Sequence, residues 1–166
     1  MTGKRSAGIL LFRGADPART PPDPAAGAAV QVLLGHMGGP FWARKDERAW
    51  SVPKGEYEPD EEPEAAARRE FQEELGLPPP SGELLPLGSV RQTGGKVVTV
   101  WALAGDLDPR CVTPGTFEME WPRGSGRLQA FPEIDRVDWL DLAQARTKIV
   151  AKQEIFLDRL EERLRG

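Results

Sequence analysis

Three glutamates lie close together in one predicted helix, at a spacing that could serve metal chemistry. Glu70, Glu73 and Glu74 stand at positions i, i+3 and i+4, so their Cβ atoms lie about 5–6 Å apart on one helix face. Three like charges at that separation repel one another and cost stability. The spacing alone leaves two interpretations open: a solvated acidic face, or a site for a hard divalent cation such as Mg²⁺ or Mn²⁺, which takes oxygen ligands.

The helix that carries these glutamates is predicted to span Pro63–Leu75. A proline near its start and three consecutive alanines favour it, and Gly76 follows as the residue that ends it. Ala67, Phe71 and Leu75 form the adjoining apolar face. We expect that face to pack against a sheet while the acids point elsewhere.

The stretch GEYEPDEEPEAAARREFQEELGL, residues 55–77, resembles the complete Nudix box of the Nudix hydrolase family. Gly55 is followed after five residues by Glu61 and after seven more by REFQEELGL. The required Gly, Glu and Arg positions would match by chance at on the order of 10⁻⁸ per starting point. Phe71 stands where the family more often has an aliphatic residue. The resemblance implies a hydrolase that cleaves a phosphoanhydride bond in a nucleoside diphosphate linked to another group X.

The resemblance also implies a fold and a metal site. The fold would be an α/β/α sandwich with mixed β-sheet, covered by the box helix on one side and by a C-terminal helix on the other. Glu70, Glu73 and Glu74 would bind Mg²⁺ or Mn²⁺, and the main-chain carbonyl near Lys54 and Gly55 could supply a further ligand. Gly55 would allow the tight backbone that brings this loop to the metal.

Other roles follow from the resemblance residue by residue. Arg69 would orient the glutamates, because its rigid fork can pair with carboxylates, and Glu61 would brace the loop before the helix. The family often adds one more carboxylate from a later loop, as ligand or general base. Glu133 is our first choice for it, followed by Glu118 and Glu120, and for each of the three an ordinary surface acid is an equal alternative.

Substrate contacts are predicted around the residues that precede the box glycine. Lys54 gives the form PKG, which resembles the diadenosine polyphosphate and diphosphoinositol phosphohydrolase branches of the family. Lys54 would suit a long polyphosphate, and Arg44, Lys45 and Trp42 just upstream could hold phosphates and stack a base. Arg91 is a further candidate. A solvated lysine at Lys54 and a packing role for Trp42 remain the alternatives.

Composition limits the other possibilities. The 166 residues, 39% hydrophobic and 29% charged, fit one domain, residues 1–166, whose core needs no disulfide. The single Cys111 and the lack of a secretion signal predict a cytoplasmic protein. No apolar run approaches the roughly 20 residues that span a bilayer, and the net charge of −4 would not attract nucleic acid. We therefore expect a small nucleotide polyphosphate as partner and leave the oligomeric state open.

The remaining elements read as strands and one more helix around the box. We interpret His36, the only histidine, as structural, because a His-based metal site or a Ser-His-Asp triad would have no second histidine to use. A Pro- and Ala-rich segment, residues 14–28, is predicted to be a flexible loop. Strands are predicted at residues 6–13, 29–37, 49–53, 82–92, 96–105 and 135–142, and a C-terminal helix at 143–164.

Three functions therefore compete. The leading hypothesis is a metal-dependent pyrophosphohydrolase whose best-guess substrate is a dinucleoside polyphosphate such as diadenosine tetraphosphate. The nearest alternative is a nucleoside triphosphate pyrophosphohydrolase of the pool-cleaning type. The third is a Nudix-fold module that senses a nucleotide without cleaving it. Such a module would be expected to lose box glutamates, which this chain retains.

Overall fold

A computed structural model describes residues 4–14 and 30–165 of the chain. Nine strands and three helices lie in these two segments. They are β1 (Arg5–Arg13), β2 (Gln31–Met37), β3 (Trp50–Ser51), β4 (Lys54–Glu56), α1 (Pro63–Leu75), β5 (Leu85–Arg91), β6 (Val97–Ala104), β7 (Thr116–Glu120), β8 (Leu128–Pro132), β9 (Ile134–Asp141), α2 (Leu142–Lys148) and α3 (Glu154–Arg165).

Seven of the strands form one mixed sheet with β1 near its middle. The order is β3-β2-β1-β6-β5, with β4 paired to β1 and β9 paired to β2. Strand β1 runs parallel to β6 and antiparallel to β2 and β4, so it meets β4 at its start and β2 at its end. Strands β1 and β2 pair at Phe12 and Arg13. Residues 6–11 are all buried, as expected for a strand covered on both faces.

Helices cover both faces of this sheet. On one face α1 buries Ala66, Ala67, Phe71 and Leu75 against β1 and β6. On the other face, α3 buries Phe156, Leu157 and Leu160. The predicted α/β/α sandwich with a mixed sheet is therefore confirmed. Strand β1 supplies both cores, because successive side chains point to opposite faces of a sheet.

The predicted continuous C-terminal helix was wrong. The chain forms α2, leaves the helix at Ile149, and begins α3 at Glu154. At the break, Val150 N donates to Trp50 O at 2.8 Å, and Gln153 Oε1 accepts from Val52 N at 2.9 Å. Extended backbone at Ile149 thus gives partners to the edge of the sheet that a continuous helix could not reach.

A second, two-stranded sheet was not predicted. Strands β7 and β8 pair only with each other among the described residues, and we call them the β7–β8 ribbon. The TGG segment, residues 93–95, forms the turn between β5 and β6, with Gly94 and Gly95 at positive φ. The predicted loop at residues 14–28 lies, apart from the exposed Gly14, outside the described residues. Within the two described segments, no helix has the length and apolarity needed to cross a membrane.

Candidate active site

Helix α1 packs on β1 and β4 and places Glu70 and Glu74 against β4. The helix begins at Pro63 and ends at Gly76, whose φ of 74° is the left-handed conformation that a glycine adopts easily. Glu70 is buried where α1 contacts β4. A Cβ atom on Gly55 would lie 1.8 Å from Glu70 Oε2. Only glycine therefore lets the loop come this close to the carboxylate.

Arg69 connects the helix to the loop before it. Its Nε and Nη2 donate to the two carboxylate oxygens of Glu61 at 2.7 and 2.8 Å. Its Nη1 donates to Glu70 Oε1 at 2.8 Å and to Glu73 Oε2 at 3.0 Å. The hydrogen bond from Arg69 lowers the pKa of Glu61. The hydrogen bonds to Glu61, Glu70 and Glu73 raise the pKa of Arg69, and the one to Glu61 contributes most. The guanidinium therefore stays charged beside these three acids.

Glu74 lies under the backbone of the PKG segment. Its Oε2 accepts a hydrogen bond from Lys54 N at 2.8 Å. Burial raises the pKa of Glu74 to about 8, and the charges of Glu133 and Glu70 act in the same direction, while the charge of Lys54 opposes them. Burial also raises the pKa of Glu70, against the hydrogen bond from Arg69. Both glutamates thus resist carrying a negative charge without a nearby cation.

Glu133, between β8 and β9, lies near the α1 glutamates although it is distant from them in sequence. Glu133 N donates to Gly115 O at 2.8 Å, and Gly115 N donates to Glu74 O at 3.2 Å. Burial and the charge of Glu73 raise the pKa of Glu133, and the charge of Lys54 lowers it. Although much of Glu133 is exposed, its carboxylate lies within the field of the α1 glutamates. We call Glu70, Glu73, Glu74 and Glu133 the carboxylate cluster.

The two other acids considered for the later carboxylate lie on the β7–β8 ribbon. Glu118 and Glu120 are exposed on β7. Glu120 Oε1 accepts a hydrogen bond from Gly126 N, within the turn of the ribbon. Of the three candidates, Glu133 is the one whose backbone is linked to α1, through Gly115, which donates to Glu74 O.

The donor chemistry of the carboxylate cluster fits a hard divalent cation. All its side-chain donors are carboxylate oxygens, the ligands that Mg²⁺ and Mn²⁺ take. The charge of a bound cation would favour the ionised forms of Glu70, Glu74 and Glu133, against the burial and repulsion that raise their pKa values. In this arrangement, however, Arg69 binds Glu70 and Glu73. Across residues 4–14 and 30–165, no three His, Cys, Asp or Glu side chains are gathered around one point as metal ligands.

The predicted substrate-binding residues lie in different places. Lys54 is half-buried, and its charge acts on both Glu74 and Glu133. Trp42 packs against the core on the α3 face of the sheet, with Lys45 Nζ 5.2 Å from the centre of its ring. Arg44 is exposed on the same turn, and Arg91 is exposed at the end of β5.

The turn with Trp42 and Lys45 is tied to the site by residues that the sequence did not single out for this purpose. Gly38 N donates to Glu133 O at 3.0 Å, and a Cβ on Gly38 would lie 1.9 Å from Pro132 O. His36 is fully buried, with Nδ1 2.9 Å from Asp135 Oδ1 and Nε2 against Lys45 O. The paired glycines after β2 were the available signal for this close approach.

Comparisons with known proteins identify the class. The NUDIX domain model matches residues 5–160, and the chain belongs to the Nudix family. It is 42% identical over 55 residues to the RNA pyrophosphohydrolase of Hahella chejuensis, which covers 32% of this chain and 34% of that protein. The chain therefore spans about a third of the length of this curated relative. The relative's name agrees with the predicted class, a hydrolase acting on phosphoanhydride bonds.

Two solved structures share the fold at low sequence identity. The binary complex of C. elegans Ap4A hydrolase has a TM-score of 0.61 at 21% identity and covers 98% of both chains. The NUDIX domain of Shewanella oneidensis NrtR, complexed with ADP ribose, has a TM-score of 0.62 at 17% identity and covers 99% of this chain and 90% of that one. Both comparisons confirm the fold that the box resemblance implied.

Proposed function

We propose that this protein is a metal-dependent pyrophosphohydrolase that cleaves a phosphoanhydride bond in a nucleoside diphosphate linked to another group. The observation that carries this proposal is that Glu70 and Glu74 lie directly against the PKG segment, where Glu74 Oε2 accepts from Lys54 N at 2.8 Å, and that the charge of Glu133 acts on both. Carboxylates whose pKa values are raised together by burial and mutual repulsion mark sites that are arranged for chemistry. Such a concentration of charge would be costly in a helix that served only as packing.

Each residue then has a role in handling a phosphate chain. Glu70, Glu73 and Glu74, with the carbonyl of Gly55, would hold Mg²⁺ or Mn²⁺. Such an ion supplies charge neutralisation for phosphoryl oxygens and makes water more acidic. Glu133, whose pKa is raised by burial and by the charge of Glu73, would accept a proton from the attacking water as general base. It could instead serve as a further metal ligand.

The surrounding residues would position the carboxylates and attract the phosphates of the substrate. Arg69, through its paired bonds to Glu61, holds the helix and the preceding loop in one arrangement. Lys54 supplies a point charge for a phosphate beside the carboxylates. Trp42, Lys45 and the exposed Arg44 would extend this contact along the substrate, and Arg91 is a more distant candidate.

A dinucleoside polyphosphate such as diadenosine tetraphosphate is the substrate we favour. Water would add across one phosphoanhydride bond, giving a nucleoside triphosphate and a nucleoside monophosphate. Lys54 beside the cluster supports a long, highly charged phosphate chain. The fold is also that of a protein named Ap4A hydrolase, although a likeness at 21% identity carries no substrate with it.

Three alternatives remain for the experiment to separate. One is a nucleoside triphosphate pyrophosphohydrolase of the pool-cleaning type. Another is action on the 5′-triphosphate end of RNA, which the local match to an RNA pyrophosphohydrolase suggests and the net charge of −4 disfavours. The last is a nucleotide-sensing module, against which the retained box glutamates argue.

One panel of substrates tests the proposal. Product release would be followed with Mg²⁺ or Mn²⁺ on diadenosine tetraphosphate, ordinary and oxidised nucleoside triphosphates, ADP-ribose, a diphosphoinositol phosphate and a 5′-triphosphorylated RNA oligonucleotide. We expect the highest kcat/KM with diadenosine tetraphosphate. A preference for triphosphates or RNA would replace the substrate assignment. Nucleotide binding without turnover of any compound would replace the enzyme with the sensing module.

A further inference from the structure

The β7–β8 ribbon has two unlike faces. Along β7, the half-buried Phe117 and Met119 alternate with the exposed Glu118 and Glu120, and the half-buried Trp121 follows. Phe131 on β8 is paired with Phe117, and their rings lie 6.1 Å apart. Because residues directly opposite each other share a face, one face of the ribbon is aromatic while the other is acidic and exposed.

The aromatic face of the ribbon is turned toward the turn that follows β2. A Cβ on Gly39 would lie 3.1 Å from Phe117 Cζ. Phe41 packs edge-to-face on Trp121, with ring centres 5.8 Å apart, and Arg123 Cζ lies 5.0 Å from the centre of the Phe41 ring. Phe41 is nevertheless 46% exposed. We call Phe41, Phe117, Trp121 and Arg123 the aromatic patch.

The segments that carry the aromatic patch are joined to the carboxylate cluster by backbone hydrogen bonds of Glu133. Glu133 N donates to Gly115 O at the base of the ribbon, and Glu133 O accepts from Gly38 N at the base of the turn. At about 3.3 Å per residue, Phe117 stands roughly 7 Å and Trp121 roughly 20 Å along the strand from Gly115. A ligand with phosphates at the carboxylates and a base some distance away could therefore contact both regions.

Packing alone accounts poorly for the composition of the patch. A lone two-stranded ribbon is marginally stable in water, and an apolar contact with the turn would help to hold it. Such a contact does not require rings left half-open to solvent with a guanidinium above one of them. Aromatic rings with an adjacent arginine are the groups that proteins use to stack nucleobases, whatever the base.

We propose that the aromatic patch binds the distal nucleoside of the polyphosphate substrate, with its base stacked on Phe41 or Trp121. This inference rests on the proposed function for the position of the phosphates, because it assigns to the patch the part of the substrate that leads away from the carboxylate cluster. Arg123 would lie over the stacked rings or pair with a phosphate of the linking chain. The patch thus distinguishes a dinucleoside polyphosphate from a single nucleotide.

The test measures binding without turnover. The probe is a methylene-bridged, uncleavable analogue of diadenosine tetraphosphate, titrated calorimetrically with Mg²⁺, and the base-free comparison is methylenediphosphonate. Phe41→Ala and Trp121→Leu should weaken binding of the dinucleotide analogue about 10- to 100-fold and leave methylenediphosphonate unchanged. Phe41→Tyr keeps a ring and should bind like the wild type. Melting temperature and circular dichroism would establish that each variant is folded.

Leu128→Ala is the matched control. Leu128 is 70% exposed and pairs with Glu120. The substitution therefore changes an apolar side chain on the opposite face of the same ribbon. We expect it to bind both probes like the wild type. An equal loss of analogue binding in Leu128→Ala would mean that the ribbon matters only as a whole, and the inference would be overturned.

The remaining outcomes separate this inference from the proposed function. If the wild type cleaves diadenosine tetraphosphate and the patch variants bind the analogue as tightly as the wild type does, the inference is overturned and the proposed function stands. If the wild type cleaves no nucleotide but the patch variants bind the analogue more weakly than the wild type does, the nucleoside site is supported and the proposed enzymatic function is refuted. A dimer in light scattering that Phe41→Ala dissociates would identify a second copy as the occupant, against the proposal.

Discussion

The carboxylate cluster and the aromatic patch meet at Glu133 but are held in different ways. Around Arg69 the side chains are fixed by hydrogen bonds of 2.7–3.0 Å between charged groups, on a helix that buries Phe71 and Leu75 completely. In the patch, Phe41 and Trp121 touch edge to face on an exposed turn and ribbon. In the proposed function, the positions that would neutralise charge are each held by several contacts, whereas the positions that would select a ligand lie on exposed segments with fewer contacts.

The comparison predicts its largest effect for removal of divalent cations. The carboxylate cluster cannot bind and neutralise a phosphate chain by itself, because its own charges repel one. Excess EDTA should therefore abolish turnover, and added Mg²⁺ or Mn²⁺ should restore it. The measurement is product release before and after metal is added back. Undiminished hydrolysis in EDTA would exclude a metal role for the cluster.

The next largest effect is expected for Glu74→Gln and Glu73→Gln. Each change removes a charge at nearly constant volume, and the amide oxygen at position 74 can still accept from Lys54 N, so the fold should survive. We expect kcat to fall by on the order of 10² or more. Glu118→Gln, on the exposed face of β7, is the control and should behave like the wild type. If the Glu73→Gln and Glu74→Gln variants keep the wild-type turnover and melting temperature, the catalytic role is rejected and the glutamates form only a solvated acidic face.

The members of the carboxylate cluster differ in how far the sequence predicted their positions. The spacing of Glu70, Glu73 and Glu74 is a local pattern, and α1 follows from the proline at its start, the three alanines and the cap at Gly76. The candidate position of Glu133 came from the family resemblance, and its contacts with Gly115 and Gly38 depend on chain closure that no local pattern shows.

The two missed elements have physical reasons of the same kind. The apolar period of residues 143–164 continues across the break at Ile149, because α2 and α3 bury residues in the same core. The hydrogen bond from Val150 N to Trp50 O, which ends the helical path, is a long-range contact. Strand β7 alternates half-buried and exposed residues, whereas the first three residues of β8 are all exposed. Both strands are short and β7 carries charges on one face, which makes a weak strand signal.

A smaller effect is expected for Arg69→Lys. Lysine keeps the charge but loses the fork that grips both oxygens of Glu61 while binding Glu70 and Glu73. We expect kcat to fall about 10- to 100-fold, as for other residues that orient metal ligands, with little change in melting temperature because the pair is partly exposed. Arg68→Lys is the matched control, since Arg68 Nη2 donates to Gly82 O. Equal kinetics in both variants would reject the orienting role.

The raised pKa of Glu74 predicts how the stability of the metal-free protein varies with pH. Its folded pKa is about 8 against an ordinary value of 4.5, so between these values the folded state holds a proton that the unfolded state has lost. Stability from this group is therefore present at acidic pH and is lost as pH rises through that window. The pKa values of Glu70 and Glu133 shift in the same direction.

Thermal unfolding in EDTA from pH 5 to 8.5 measures this dependence. We expect the melting temperature to fall across the range and Glu74→Gln to flatten the decline, because glutamine does not titrate. A melting temperature that rises with pH, or a slope that Glu74→Gln leaves unchanged, would contradict the assignment of the raised pKa to this site.

The smallest expected effect concerns Lys54, whose charge acts on Glu74 and Glu133. Lys54→Met keeps the stem and removes the charge, so the excess of kcat/KM for diadenosine tetraphosphate over ATP should narrow by about 5- to 10-fold. The same change removes the cation that opposes the raised pKa of Glu74 and Glu133, which lowers turnover of both substrates. The ratio between substrates isolates the phosphate contact from that shared loss. Lys152→Met, in the exposed turn before α3, controls for net charge and should leave the ratio unchanged. If Lys54→Met lowers both values equally, Lys54 acts on the carboxylates alone, and length selection belongs to the aromatic patch.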